Sequence, residues 1–462
     1  MDELKTTVVT PESNIEKHRK SYKTSLKVTF GVVIALFLIV SSLFLGVGLG
    51  EMRIQKIKAS VNELNYVSNE YESQRRNQAI QRLRETPEIY EHIETFSAKL
   101  MNYVKEDYFE EGADLLISPI SIYLAFVMQY ECLTNEDKVK LRDFLCVTEE
   151  DINLTKDLLD SLLISGDKVA LDIFNSIWLN SGLDQDYNPD ILESLGKKYY
   201  TNVIEANFLT DNQTANKALR QYVKEKTRGL IDNDYDIDET VSYLLVNALY
   251  VEDMWSSKEF SQKSETFTKE DAFEKVTMFN ISEYNTGKPE KEEKYTFQRI
   301  ISEHGFTLSF ILPNDGYTIG DVYNEETIKQ VNDYKYNYVD QTLLEKYYTR
   351  CIFPSFEVGS DIEVQNTIVE HYDIDFMFNS FKNLLTNNHT FIDRVIHQTK
   401  LEINKNGFKG AAVTIIDNKA TSAGVQLYRD VYFDFLVNKP FGVVLSSSNG
   451  VIIFTGIVNN IK

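Results

Sequence analysis

Hydrophobic positions along this chain fall into three regimes. The first is an uncharged run, Val28 to Gly50 (VTFGVVIALFLIVSSLFLGVGLG). A helix rises about 1.5 Å per residue, so a run of this length reaches across a hydrocarbon core about 30 Å thick and is expected to span a membrane. The second regime, Glu51 to Glu85, is charged and polar with a thin apolar line of Ile54, Ile57, Val61 and Leu64. It reads as a partly helical stalk, too short for a coiled coil. The third begins at Thr86, where an N-cap residue, Pro87 and Glu88 announce a helix whose apolar face is Ile89, Ile93, Phe96, Leu100 and Val104.

From there helical and alternating patterns mix. Ser118-Pro119 opens an apolar helix, Ile120 to Met128; Val169 to Leu179 alternates as a strand; Pro189 to Tyr200 and Leu219 to Thr227 read as helices. Tyr243 to Tyr250 is a nearly continuous apolar run, the pattern of a strand covered on both faces. Strand patterns then dominate, at Phe267 to Ile281, Tyr295 to Ile301, Thr307 to Leu312 and Arg350 to Phe356, with a return to helix from Ser360 to Phe378. The last segments, Val443 to Ser446 and Val451 to Phe454, flank Asn449-Gly450 and predict a β-hairpin. Nothing after Thr86 divides the chain, so one mixed α+β domain is expected over 86–462.

Charge changes this picture at the amino end. Lys17, Arg19, Lys20, Lys23 and Lys27 precede the uncharged run, against Arg53, Lys56 and Lys58 after it. The positive-inside rule leaves 1–27 cytosolic, 28–50 as a signal anchor, 51–85 as stalk, and the rest outside the cell or in a lumen, a single-pass type II protein. The alternative is a secreted chain cut after Gly48 or Gly50, although the run exceeds the roughly 7 to 15 residues usual for a signal peptide. Sequons at Asn153, Asn212, Asn280 and Asn388 fit export and predict a glycoprotein. A net charge of -22 with no basic stripe excludes nucleic acid as a partner. Of the 3 cysteines, Cys132 and Cys146 admit one bridge, but there is no disulfide framework.

Candidate chemistry is sparse. The chain has no G-x-S-x-G, H-E-x-x-H, phosphate-loop or Cys-x-x-Cys motif, and its 6 histidines lack metal-ligand spacing. No catalytic residue, metal or cofactor is expected. The unusual stretch is Lys400 to Val437, which starts as a strand, passes through small residues and returns to an aromatic strand. As a surface loop it would be long. Paired as a strand, it would place Phe408, Gly410, Ala412, Thr414 and Ile416 on one face and Lys409, Ala411, Val413, Ile415 and Asp417 on the other.

Several segments, in order, resemble the serpin family of protease inhibitors. LLISPISIYLAF (Leu115 to Phe126) is similar to the family's Ile-Ser-Pro-x-Ser-Ile helix start, and FNSIWLN (Phe174 to Asn180) follows. YVKEKTRGLI (Tyr222 to Ile231) resembles W-V-x-x-x-T-x-G-x-I, and LLVNALYVEDMW (Leu244 to Trp255) resembles L-V-N-A-x-Y-F-x-G-x-W. FILPNDG, IFPSFEV, VIHQTKLEINKNG, NKPFG and IIFTGIVNN complete the series at Phe310, Ile352, Val395, Asn438 and Ile452. The resemblance implies the serpin fold, a large central β-sheet with smaller sheets, surrounding helices and an exposed reactive loop. It implies a monomer whose partner is a serine or cysteine protease, trapped when the cut loop inserts into the large sheet.

Carried over residue by residue, the resemblance makes Ser118, Ser121, Asn247 and His397 the cluster through which the sheet opens, and puts Trp255 at the insertion point. The hinge is Gly407, Phe408, Lys409, Gly410, Ala411, Ala412, Val413 and Thr414. Here the chain departs from the family, with Lys405 and Asn406 for an acidic pair, Phe408 for Thr or Ser, and Lys409 for Glu. Phe408 is expected to enter first and point to the core, at about 1 to 3 kcal/mol unless room is provided; Lys409 is expected on the outer face. Counting forward from Gly407 puts the reactive bond at Thr421-Ser422, suited to an elastase-like enzyme; counting back from Pro440 puts it near Arg429. Lys419 or Arg429 would suit a trypsin-like enzyme. Two readings follow: a membrane-anchored suicide inhibitor, or a non-inhibitory serpin acting as a binding or chaperone-like module.

Overall fold

The structure, a computed structural model, describes residues 56–57 and 69–461 apart from 167, 257–259, 270–271, 284–286, 336–338, 341–342, 373–382, 386–395 and 410–427. The expected membrane span 28–50 and most of the reactive loop therefore lie outside the described residues. Among the described residues, no helix is long and apolar enough to cross a membrane.

The central sheet is built from β1 (Lys56–Ile57), β2 (Ala170–Asn180), β3 (Asn202–Ala206), β4 (Tyr243–Met254), β5 (Phe356–Glu363), β6 (Ile396–Asn404) and β7 (Gly407–Phe408). Their spatial order is β1-β3-β2-β4-β7-β6-β5, with Ile164–Ser165 also pairing to β2. Strand β2 runs parallel to β3 and antiparallel to β4. Strand β7 is antiparallel to both its neighbours, so β4 and β6 run the same way.

A second sheet contains Leu115–Ile117, the hairpin Phe441–Ser446 and Ile452–Val458, and strands Thr307–Pro313 and Tyr295–Ile301. Its hairpin turns at Gly450 with φ +83°, as the Asn-Gly signal predicts. A third sheet holds Phe260–Lys269, Ala272–Glu283 and Glu345–Pro354, the last paired in parallel with Arg429–Leu436.

Helices cover the sheets. In α1 (Asn69–Leu83), residues Ala79 and Leu83 are buried; α2 (Glu88–Tyr108) buries the expected face of Ile89, Ile93, Phe96, Leu100 and Val104. Glu88 and Glu91 in its first turn and Lys105 in its last favour the helix dipole. The apolar α3 (Pro119–Cys132) starts with Pro119 directly after Ser118 and is buried along almost its whole length. α5 (Asn212–Lys226) packs on β4, and α4 (Glu149–Leu162) packs against α1 and the helix Pro189–Tyr199.

Several expectations are corrected. Thr86 does not cap α2; Pro87 occupies the cap position without a side-chain bond, and the Thr86 hydroxyl is buried without a partner. The strand expected over Phe267 to Ile281 is a hairpin of two strands, because pairing of Phe260–Lys269 with Ala272–Glu283 satisfies both backbones. Ser360 to Glu363 is strand, not helix, since β5 pairs with β6 up to Glu363 before the helix Val364–Tyr372 begins. The end of the expected stalk is part of the folded body: α1 packs on α4, with Arg75 3.0 Å from the buried Asp160 and Arg82 Nε donating to Asp157 at 2.9 Å. None of the 3 cysteines, Cys132, Cys146 and Cys351, forms a disulfide among the described residues.

Candidate functional site

The hinge lies in the central sheet. After β6 the chain turns through Lys405 and Asn406 and returns as β7 between β6 and β4, pairing Phe408 with Ile403 on one side and Asp253 on the other. Gly407 is required by this approach: a Cβ there would stand 2.0 Å from the Asp253 carbonyl oxygen. Trp255 holds the turn, its backbone N–H donating to Asn406 O at 3.1 Å and its indole N–H to Asn404 O at 2.9 Å.

Phe408 points into the core and is fully buried. Its ring meets Trp255 at 5.8 Å and Phe306 at 5.6 Å, both edge-on, so a socket of aromatic walls provides the room. Lys409 is on the outer face, with its ammonium 5.0 Å from the centre of the Tyr250 ring. Partial burial lowers its pKa, opposed by Glu402 and Glu252. Its backbone is left-handed at φ +48°, and its N–H donates to Glu402 O of β6 at 2.8 Å.

Below β7 no described strand fills the seam. Among the described residues β4 and β6 share no direct ladder, and a cavity of about 140 Å³ separates them. Leu244, Val246 and Asn247 of β4 line one side and His397 and Gln398 of β6 the other, with Ser121 and Phe126 of α3 beneath. These β4 residues are half-buried, so the apolar run that predicts two covered faces is only partly covered here.

The expected opening cluster divides across this gap. Ser118 N–H donates to His397 Nε2 at 2.9 Å, and Ser118 Oγ donates to Ser121 Oγ at 3.0 Å. Accepting at Nε2 puts the proton of the neutral ring on Nδ1. Burial pushes the His397 pKa down to about 3, which keeps that ring neutral. Asn247 turns away and donates to Asn175 Oδ1 on β2 at 2.7 Å, while its own buried oxygen accepts no bond from the described residues. Trp255 stands apart from these four, at the hinge.

Other expected residues are placed as follows. Gly410, Ala411, Ala412, Val413, Thr414, Lys419, Thr421, Ser422 and Asn388 lie outside the described residues. Arg429 opens the strand Arg429–Leu436, its N–H donating to Leu344 O at 2.8 Å and its side chain pairing with Glu345. Asn153 is exposed on α4, Asn280 is half-buried in Ala272–Glu283, and the Asn212 amide nitrogen donates to Ile237 O at 2.7 Å. Sequence reasoning missed Asn175, Phe306, Asp253 and His304. The Asp253 carboxylate is buried and receives the Met254 N–H at 2.8 Å, the His304 N–H at 2.9 Å and the His304 ring at 2.8 Å. The available signal was an acidic residue inside an apolar strand, which must find partners.

Fold and seam define a class of protein: α+β, with a central sheet parted along one seam and the start of a long loop lodged in it. The family model described as Serpin (serine protease inhibitor) matches residues 91–461, and the chain belongs to the serpin family. Human Serpin B8 is 21% identical over 333 residues, covering 70% of this chain and 87% of that protein. Human neuroserpin is 24% identical over 367 residues, covering 75% and 86%. The native-state structure of tengpin, a thermophilic serpin, matches with a TM-score of 0.65 at 23% identity over 81% of this chain and 94% of that one. Human thyroxine-binding globulin complexed with thyroxine matches with a TM-score of 0.65 at 18% identity, over 81% and 99%. These two likenesses show the fold.

Proposed function

We propose that this protein is a membrane-anchored serpin that traps a serine or cysteine protease by inserting its cut loop between β4 and β6. The observation that carries this reading is register. Six residues on from Phe408 is Thr414; six back from Asp253 is Asn247, and six back from Ile403 is His397. A loop continuing in this register brings Gly410, Ala412 and Thr414 to the inward face and sets Thr414 between Asn247 and His397, within reach of the orphaned Asn247 oxygen. The small side chains of Gly410, Ala411, Ala412 and Val413 suit the narrow gap. Burying this strand and completing its ladders is the source of the work done on the acylated protease.

The reactive bond is taken as Thr421-Ser422, with Lys419 and Arg429 as alternatives. Arg429 is held in a paired strand, a poor position for entering a protease cleft, which supports the count from Gly407. In this reading 1–27 is cytosolic, 28–50 spans the membrane, 51–85 joins it to the domain, and the monomeric serpin body faces the exterior or a lumen, carrying glycans at the sequons. Secretion after signal cleavage is the alternative localisation. Incubation with elastase-like and trypsin-like proteases should give a complex that survives SDS, and mass spectrometry of the released fragment gives the bond. Cleavage without such a complex for every protease sinks the inhibitory reading.

A second reading, a non-inhibitory binding or chaperone-like module, is favoured by Lys405, Phe408 and Lys409 in place of the usual hinge residues, and by the left-handed backbone of Lys409, which an inserting strand would have to straighten. Melting before and after loop cleavage separates the two. A large rise means insertion; an unchanged midpoint means that the loop stays out.

A further inference from the structure

Two departures from the serpin pattern meet in space. Phe408 stands where a small hydroxyl residue is usual, and its ladder partner Asp253 stands where L-V-N-A-x-Y-F-x-G-x-W has glycine. The Asp253 side chain is 0% exposed. Its bonds to both nitrogens offered by His304 pin the turn 302–306 to the end of β4, helped by Glu303 N–H to Met254 O at 2.7 Å and the bridge between Trp255 and Ser302. Phe306 belongs to the same turn and forms one wall of the Phe408 socket. Trp255, the residue after Met254, forms another. The carboxylate and the imidazole thus hold both aromatic walls at the depth where Phe408 fits.

We propose that Asp253 and His304 are positioning residues for the hinge: they keep the Phe408 socket formed, so that Gly407 and Phe408 stay paired in the sheet, and the left-handed Lys409 is the stop that must straighten before a strand can extend from them. The top of the sheet need not open when the loop is cut; zipping starts at Lys409, whose backbone must pass from left-handed to extended and whose ammonium must leave the Tyr250 face. The consequence for rate rests on the loop-insertion reading. The socket does not.

The test uses the full chain and reads the socket and the rate separately. In His304→Leu the ring donor is lost, and amide hydrogen exchange over 403–409 should rise by about ten-fold, the effect of losing one hydrogen bond to a buried charge, with exchange in Ile452–Val458 unchanged. His304→Asn keeps a side-chain donor and should restore most of the protection. Asp253→Gly, the residue of the family pattern, is the second variant should His304→Leu misfold, and should loosen the same segment. Hinge protection unchanged in Asp253→Gly, or His304→Asn no better than His304→Leu, overturns the socket. After loop cleavage, Lys409→Gly relieves the left-handed strain and should slow the rise in thermal stability by about ten-fold, whereas Lys409→Val should hasten it. Equal rates in the two overturn the stop. If cleavage raises stability in no variant, loop insertion itself fails, and the exchange result still decides the socket.

Discussion

The two ends of the seam between β4 and β6 solve one problem differently. At the hinge end the strands are separated but satisfied, because Gly407 and Phe408 fill the ladder on both sides and an aromatic socket takes the side chain. At the other end no described strand lies between them, and among the described residues there is a cavity of about 140 Å³, a buried Asn247 oxygen without a partner and a neutral His397. Packing and backbone hydrogen bonds are normally completed throughout an interior. Among the described residues the seam is completed at one end only, and on the loop-insertion reading a strand entering the other end would gain the missing contacts.

The comparison is broken most severely at the open end. Thr414→Arg would carry an unpaired charge into the gap between Asn247 and His397, at a cost of several kcal/mol. The expected result is complete conversion from trapping to simple cleavage, read as loss of the SDS-resistant complex while the loop is still cut. Retention of the complex would show that the loop follows another register.

At the closed end, Gly407→Ala places a Cβ against the Asp253 carbonyl and should force β7 out of its ladders. The cost is about 1 to 3 kcal/mol, seen as a lower denaturant midpoint with faster exchange at the hinge. An unchanged midpoint would mean that the two strands of the seam separate easily here too.

His397 sharpens the comparison through pH. Its folded pKa of about 3 lies below the ordinary 6.5, so its contribution to stability is complete above pH 6.5 and is lost progressively as pH falls toward 3. His397→Gln should flatten that part of the stability profile relative to the unmodified protein, measured as melting midpoint against pH. Parallel profiles would place the acid sensitivity elsewhere. The smallest effect is expected at Asn247→Ala, which removes one bond to Asn175 and an oxygen already orphaned; the resting protein should lose about 1 kcal/mol in chemical unfolding. A loss of several kcal/mol would mean that Asn247 bridges the seam at rest.

Much of the fold was legible. The apolar face of α2, the Pro119 start of α3, the strand over Ala170–Asn180 and the Asn-Gly hairpin all follow from local periodicity and turn chemistry. Periodicity failed where two strands abut, as in Phe260–Lys269 with Ala272–Glu283, because a hairpin and one long strand share a two-residue repeat. It failed again at Ser360 to Glu363, where pairing with β6 overrides a helical pattern. Of the site, the sequence pointed to Ser118, Ser121 and His397 as partners and to the direction of Phe408. It did not reveal Asn175, Phe306 or His304, which approach from 72, 102 and 51 residues away along the chain from Asn247, Phe408 and Asp253.

What the sequence determined by itself was the set of elements, the family resemblance and the alternation that sends Phe408 inward and Lys409 outward, since all of these depend on neighbours a few residues apart. The tertiary structure decided how Gly407 and Phe408 fit into the sheet. That fit depends on Gly407 meeting Asp253 and on a socket whose walls, Trp255 and Phe306, come from two separate segments. Local pattern specifies which face a side chain takes; only the packing of distant strands decides whether there is room for it.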